Sequence, residues 1–163
     1  MPVEGATYRE AMSRLGAAVN VITTIDERGR HGLTASAVCS VTDQPATLLV
    51  CINRSSRSRV AFRVGGPICV NTLAHAQREI SVAFAGRLGM EERFEEGVWT
   101  TLATGAPVLE EALVSFDCLV SSIVEVGTHS VIFCHVQEIR LGDAAEALVY
   151  FARAYHGLSH QPG

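Results

Sequence analysis

The chain has 163 residues, 48% hydrophobic and 18% charged, which is enough to bury a real core without disulfides or metals. Its formal net charge of −4 leaves no basic footprint for nucleic acid. All 13 basic residues are arginines, which excludes a catalytic lysine, a Schiff base and a P-loop.

Five cysteines occur, each inside an apolar run that is typical of a strand. They are Cys39, Cys51, Cys69, Cys118 and Cys134. This pattern predicts buried, reduced thiols. The odd count and the lack of a secretory-signal pattern predict a cytoplasmic protein. No apolar run approaches the roughly 18 residues that a membrane-spanning helix needs, so we expect no membrane partner.

The first predicted element is a helix over residues 6–16. Tyr8, Met12 and Leu15 fall at helical spacing, and Gly16 is a suitable residue to end the helix. We expect this helix to pack across one end of a barrel. A strand over residues 19–25 follows, because the segment is rich in β-branched residues.

A second strand, over residues 33–42, alternates with a period of two and should form a hairpin with the first. One face is apolar, and the other carries small side chains, most of them hydroxyls. The members of the second face are Thr34, Ser36, Val38, Ser40 and Thr42. Small side chains let a flat ligand approach the backbone, and hydroxyls both donate and accept hydrogen bonds.

After an apolar strand over residues 47–52, residues 53–59 contain three serines and three arginines and run into a helix-like stretch over 60–64. Hydroxyls and free N–H groups at a helix start bind anions, and nearby arginines add positive charge. An ordinary capped helix with a solvated arginine face explains the same residues, and by pattern alone it is the favoured interpretation.

The remaining pattern alternates strands with helical insertions. It predicts a strand over 68–73, a helix over 75–84, an irregular stretch over 90–105, strands over 113–126 and 130–141 joined by a turn at 127–129, and a short strand over 148–151. Within the irregular stretch, Glu91, Glu92 and Arg93 resemble a solvated charged turn. Six or seven strands at hairpin spacing predict one mainly β domain over 1–163, an antiparallel barrel or sandwich with inserted helices.

The chemistry-bearing residues exclude several classes of site. There is no dinucleotide-binding glycine motif after a strand, and Ser36, Ser40 and Ser115 lack the context of a nucleophile elbow. A metal site would need ligands gathered from distant elements, so none is predicted. A histidine such as His129, in a turn between strands, is more often a surface residue than a catalytic one. The residues alone therefore indicate a β-barrel that binds an anionic aromatic ligand.

Four separated motifs resemble the flavin reductase-like family. They are GLTASAVCSV over 32–41, LLVCINRSS over 48–56, CVNTL over 69–73 and GTH over 127–129. The match is closest to small NAD(P)H:flavin oxidoreductases that serve two-component monooxygenases, such as the reductase component of 4-hydroxyphenylacetate 3-monooxygenase and the reductase of pyrimidine degradation. The resemblance implies a Greek-key, FMN-binding split barrel and a homodimer. It also implies that NADH or NADPH reduces FAD or FMN, which then diffuses to a partner oxygenase.

The resemblance also implies roles for residues in these segments. The implied flavin contacts are Thr34, Ala35, Ser36, Ala37, Val38 and Ser40 at the isoalloxazine ring, Asn53, Ser55 and Ser56 at the ribityl chain and phosphate, and Phe84 and Arg87 at the remaining phosphate or ring edge. Gly127 and Thr128 lie where related enzymes often have Gly-Asp, so Thr128 replaces an acid. His129 is the implied catalytic residue, packing on or hydrogen-bonding the nicotinamide. Tyr155 is implied near the pocket mouth.

Hydride transfer from nicotinamide C4 to flavin N5 needs no side-chain acid or base, which agrees with the lack of such a constellation. Two other classes stay open at this stage. One is an oxidoreductase of the same fold that keeps its flavin and reduces another acceptor. The other is a non-catalytic module that binds flavin or haem.

Overall fold

The computed structural model describes residues 1–162, and a seven-stranded antiparallel sheet surrounds its main core. The strands are β1 (Ala17–Ala18), β2 (Asn20–Asp26), β3 (Gly29–Ala35), β4 (Val38–Asp43), β5 (Ala46–Asn53), β6 (Pro67–Thr72), β7 (Trp99–Thr101), β8 (Pro107–Leu109), β9 (Val114–Val126), β10 (His129–Leu141), β11 (Glu146–Phe151) and β12 (Ala154–Ser159). The helices are α1 (Gly5–Met12), α2 (Arg78–Ala85) and α3 (Met90–Arg93), with short 3-10 turns at Arg59–Ala61 and His75–Gln77.

The order in the large sheet is β3-β2-β6-β9-β10-β5-β4, so its two edge strands are consecutive in the chain. The prediction of a mainly β, antiparallel split barrel with inserted helices is confirmed, and the barrel is open between β3 and β4. Smaller sheets are formed by β1, β11 and β12 and by β7 and β8. Within residues 1–162, no helix is long and apolar enough to cross a membrane.

The single strand predicted over residues 33–42 is wrong, because the chain bends at Ser36 and Ala37. Before the bend β3 pairs with β2, and after it β4 pairs with β5 on the opposite edge. The bend is fixed by Val38 N–H donating to Ser36 O at 3.0 Å and Cys51 N–H donating to Ala37 O at 3.0 Å. Because the chain changes its pairing strand from β2 to β5 within two residues, it cannot continue as one straight strand. We call Ser36 and Ala37 the seam.

Apolar side chains from the large sheet fill its interior. The fully buried members of this core include Ile22, Val50, Ile68, Val70 and Ile132. A second core lies under α2 and contains Phe84, Phe94, Leu73, Leu109 and Leu148. Burial of a side chain of this size stabilises the fold by about 1.5–3 kcal/mol.

The polar residues of β9 are buried, although the sequence pattern gives them a face of their own. Ser115 and Asp117 are 1% and 0% exposed. Ser115 Oγ donates to Asn71 Oδ1 at 3.0 Å, and Thr104 N–H donates to Asp117 Oδ2 at 2.8 Å. The segment that carries β7 and β8 covers this face and supplies the partners that buried polar groups need.

Three further predictions are corrected by the structure. Helix α1 ends at Met12 with Ser13 as its C-cap, so Gly16 does not end it, and all residues of α1 are exposed, so it does not pack across the barrel. The helix expected over 60–64 is only a 3-10 turn that ends at Ala61, since Phe62 is already extended and its side chain is buried in the core. The final strand continues, after a turn, into β12.

Candidate functional site

Two open cavities flank the seam. The first, of about 610 Å³, is lined by Val19, Thr34, Ala35, Ser36, Arg78, Ala85, Tyr150, Arg153, Ala154 and Tyr155. The second, of about 790 Å³, is lined among others by Met12, Ser36, Ala37, Val38, Cys39 and Cys51. Most of the predicted ring-binding segment therefore lies at these cavities. Ser40 is four residues beyond Ser36, and within residues 1–162 neither lining includes it.

The seam has two backbone donors that are not used within the fold. Within residues 1–162, the N–H groups of Ser36 and Ala37 donate no hydrogen bond. The hydroxyl of Thr34 is already engaged, because it donates to Ser81 O at 2.7 Å, and Ser81 Oγ lies 2.7 Å from Tyr155 Oη. A ligand at the seam therefore meets free N–H groups and small side chains.

The serine- and arginine-rich turn after β5 is organised by its own side chains. Asn53 Oδ1 accepts hydrogen bonds from Ser55 N–H at 2.9 Å and from Ser55 Oγ at 2.8 Å. Ser58 N–H donates to Ser56 Oγ at 3.4 Å, and Ser58 Oγ donates to Gly32 O at 3.1 Å. The turn is thereby docked against β3. Because only a 3-10 turn follows, helix capping does not explain these hydroxyls.

The same turn contacts the β9–β10 turn. Arg54 N–H donates to Thr128 O at 2.9 Å, and the Arg54 guanidinium donates to Gly127 O at 3.2 Å. His129 opens β10 directly opposite Asn53. Its ring is exposed, and Nδ1 lies 2.9 Å from Thr128 Oγ1. The structure therefore brings Asn53, Ser55 and His129 together, although they lie far apart in the sequence.

Glu125 links these two turns and was missed by sequence reasoning. Its carboxylate lies 3.1 Å from the guanidinium groups of both Arg54 and Arg59 and accepts a hydrogen bond from Ser130 Oγ at 2.8 Å. The hydroxyl of Ser130, followed by Arg59, lowers the pKa of Glu125. No local pattern reveals this role, because Arg54 and Arg59 are more than 60 residues away in the sequence.

Arg93 is the second missed residue, and the prediction of a solvated turn is wrong for it. Its side chain is buried, at 6% exposure. One nitrogen donates to Gly32 O at 2.8 Å and Phe84 O at 2.9 Å, and another donates to Gly86 O at 2.9 Å. Burial lowers the pKa of Arg93, yet a guanidinium stays protonated. Among the described residues, no carboxylate forms an ion pair with it.

The loop between α2 and α3 carries Arg87 on its exposed surface. The neighbouring Leu88 O accepts a hydrogen bond from the Arg57 guanidinium at 2.9 Å, which connects this loop to the serine- and arginine-rich turn.

The structure does not place Phe84 at the surface of the cavity, where a flavin contact was expected. Its ring is 1% exposed and packs in the core on Phe94, with centroids 5.0 Å apart, so it has no face to offer a ligand.

Gly32 shows why the chain can approach α2 so closely at this point. A Cβ added there would lie 2.7 Å from Cε1 of Phe84. Only glycine fits this contact without moving β3 or the ring. Phe84 therefore packs directly against β3 at Gly32.

The cysteines differ in exposure, which corrects the prediction that all are buried. Cys69, Cys118 and Cys134 are buried, Cys51 is half-buried and Cys39 is exposed. All five are free thiols, and burial raises the pKa of Cys134 to about 12. Within residues 1–162, no group of three or more potential ligands is placed to hold a metal ion.

Comparisons with known proteins agree on one family. The model of the flavin reductase-like domain matches residues 12–159. The chain is 53% identical over 158 residues to the FMN reductase (NADH) RutF of Stutzerimonas stutzeri, covering 97% of this chain and 91% of that protein. It is 52% identical over 156 residues to RutF of Escherichia coli K12, covering 96% and 95%.

Solved structures show the same fold. A Haemophilus somnus protein assigned as a flavin reductase superposes with a TM-score of 0.93 at 47% identity, covering 96% of this chain and 100% of that one. BorF, the flavin reductase component of a bacterial two-component tryptophan halogenase, gives 0.88 at 26% identity, covering 97% and 100%.

Proposed function

The chain belongs to the flavin reductase-like domain family, and on that premise we propose that it transfers hydride from NADH to FMN at the seam. The relatives that are more than half identical to it are named for this activity. The observation that carries the proposal is the seam itself. Ser36 and Ala37 line open cavities between two edge strands, and among the described residues their N–H groups have no hydrogen-bond acceptor.

The residues present fit a flavin. The N–H groups of Ser36 and Ala37 can donate to the pyrimidine edge of the isoalloxazine ring, and small side chains leave room for it. The turn with Ser55 and Ser56 offers hydroxyls, and Arg57 adds positive charge, for the phosphate of FMN. The same contacts admit FAD, whose phosphates begin at the same place.

The two bound rings supply the redox chemistry, which is hydride transfer from the nicotinamide to the flavin. The chain contributes position and electrostatics. Holding two rings in contact removes most of the entropic barrier to a bimolecular step. Fixed N–H donors at the seam stabilise negative charge that develops on the flavin, as in other preorganised sites. No side chain has to exchange a proton.

His129 is the residue that we propose contacts the nicotinamide. It is exposed beside the flavin-binding turn, and Thr128 Oγ1 orients its ring. We expect His129→Ala to raise the KM for NADH, or to lower turnover, several-fold. His135 provides a matched control, since it is an exposed histidine on the same strand. If His129→Ala and His135→Ala both leave KM and turnover unchanged, the proposed contact is wrong.

The decisive test measures oxidation of NADH and of NADPH with free FMN, FAD and riboflavin in turn. We expect NADH with FMN to give the highest kcat/KM. Absence of NADH oxidation with every flavin would overturn the proposal and leave a flavin-binding module. Retention of stoichiometric flavin through gel filtration would instead favour an enzyme that reduces another acceptor.

Supply of reduced flavin to a partner oxygenase belongs to the same proposal. It is supported by similar proteins that are named as the flavin reductase of a two-component tryptophan halogenase and of a styrene monooxygenase. A homodimer is also proposed. Tyr8, Met12 and Leu15 are 60%, 44% and 58% exposed around α1, and burying them against a second copy would remove apolar surface from water. Sedimentation velocity, which gives the mass of the particle in solution, tests for this dimer.

We also propose a cytoplasmic location, which the five free thiols support.

A further inference from the structure

The turn between β11 and β12 holds two non-glycine residues in the left-handed region. Ala152 has φ 52° and Arg153 has φ 60°. Such tight turns between strands favour asparagine and glycine, because other residues meet steric strain at positive φ. Strain of this kind is concentrated at functional sites, where the surrounding structure holds it.

Arg153 projects from this strained turn into the space around the seam. It lines both cavities, together with Ser36 and Tyr150. The first cavity has two charged lining residues, Arg153 and Arg78, and both are cations. The Arg78 guanidinium lies over the ring of Tyr155, 5.4 Å from its centroid. The first cavity therefore combines positive charge with aromatic surface.

We propose that Arg153 and Arg78 form a second anion site, which binds the diphosphate of the nicotinamide dinucleotide. This rests on the proposed function, since it assigns a place to the second substrate. The flavin phosphate is already provided for by the turn with Ser55 and Ser56. A diphosphate carries two negative charges, which match two arginines.

Glu10 of α1 competes for the same cation. Its Oε2 lies 2.7 Å from the Arg153 guanidinium, and both side chains are more than half exposed. The hydrogen bond from Arg153 lowers the pKa of Glu10, so this carboxylate is ionised at neutral pH. In the absence of the dinucleotide, Glu10 neutralises the arginine, and a diphosphate must displace it.

A matched pair of glycine substitutions separates backbone strain from charge. Ala152→Gly and Arg153→Gly each relieve one left-handed residue, so each should raise Tm by about 2–4 °C. Only Arg153→Gly should raise the KM for NADH, by about tenfold at saturating FMN, with kcat unchanged. Arg153→Lys should keep most of the affinity, because it keeps the charge.

Two further measurements identify the anion. Glu10→Gln should lower the KM for NADH about twofold, opposite in sign to Arg153→Gly. Binding of ADP-ribose, which carries the diphosphate without the nicotinamide, should weaken in Arg153→Gly and not in Ala152→Gly. The KM values for FMN and riboflavin should stay constant across these variants.

The proposal is overturned if Arg153→Gly and Ala152→Gly show the same NADH KM and the same ADP-ribose affinity. It is also overturned if Arg153→Gly raises the KM for FMN alone, because the site then belongs to the flavin phosphate. Failure of the proposed function looks different. In that case the wild-type chain oxidises no NADH with any flavin, and ADP-ribose binding still reports on Arg153.

Discussion

Replacing Arg93 with methionine removes a buried cation while keeping most of the volume of its stem. Three strong hydrogen bonds are lost, to Gly32 O at 2.8 Å, Phe84 O at 2.9 Å and Gly86 O at 2.9 Å. Hydrogen bonds from a charged group contribute about 1.5–3 kcal/mol each, and a buried carbonyl left without a partner costs about 1–3 kcal/mol. Gly32 O keeps the hydrogen bond from Ser58 Oγ at 3.1 Å, so the loss falls mainly on Phe84 O and Gly86 O. We expect Arg93→Met to destabilise the fold by about 3–5 kcal/mol.

This loss is large against a total stability of about 5–15 kcal/mol for a domain of ordinary size. Arg93→Lys should cost less, about 1–3 kcal/mol, because an ammonium keeps the charge but cannot reach three separate carbonyls. Arg63→Met is the control. Its side chain is 62% exposed and lies 3.7 Å from Glu27, a surface pair worth at most about 1 kcal/mol.

Urea unfolding followed by circular dichroism and tryptophan fluorescence gives these differences directly. Trp99 packs on Phe84 with centroids 5.4 Å apart, so its emission reports on the region that Arg93 holds. The KM for FMN measured on the folded variant shows whether the loop around Leu88 has moved. A free-energy change below about 1 kcal/mol for Arg93→Met would refute the reasoning, because it would mean that Phe84 O and Gly86 O find other partners at little cost.

Ser36→Leu should raise the KM for flavin at least tenfold, because the larger side chain fills the cavity at the seam. Thr34→Ala should raise it less, because the Thr34 hydroxyl already donates to Ser81 O. Equal KM values of the two variants in steady-state assays would contradict this order. Iodoacetamide at pH 8 should label Cys39 in the native protein and leave Cys134 unlabelled until denaturant is added, as read by mass spectrometry. Burial raises the pKa of Cys134 to about 12 in the folded protein, whereas the thiol of the unfolded chain ionises near pH 9. The free energy of unfolding is therefore unaffected by this thiol below about pH 9 and falls as the pH rises from about 9 towards 12. A Cys134→Val variant should therefore lose less stability in urea titrations over that range, and an unchanged pH dependence would contradict the assignment.

Local patterns predicted most of the strands correctly, because period-two alternation and turn residues act within a few positions. The hairpin of β9 and β10 around Gly127 and Thr128 is confirmed to within a residue at each end. Gly127 adopts φ 55°, which suits the glycine in that turn. Predictions failed where burial depended on a distant segment, as for Arg93, which is buried because β3 supplies Gly32 O as its acceptor.

The sequence by itself determined the mainly β class, the strand order along the chain and, through four motifs, the family. It also located the residues that supply free N–H groups and hydroxyls. Only the tertiary structure decided that Ser36 and Ala37 form an open seam, that Arg93 is buried and that Glu125 joins two turns. The physical reason is that the alternation of polar and apolar residues shows on which face of its strand a side chain lies. It does not show which strand lies next to that strand, and the hydrogen-bond partners and burial of a side chain depend on this neighbouring strand.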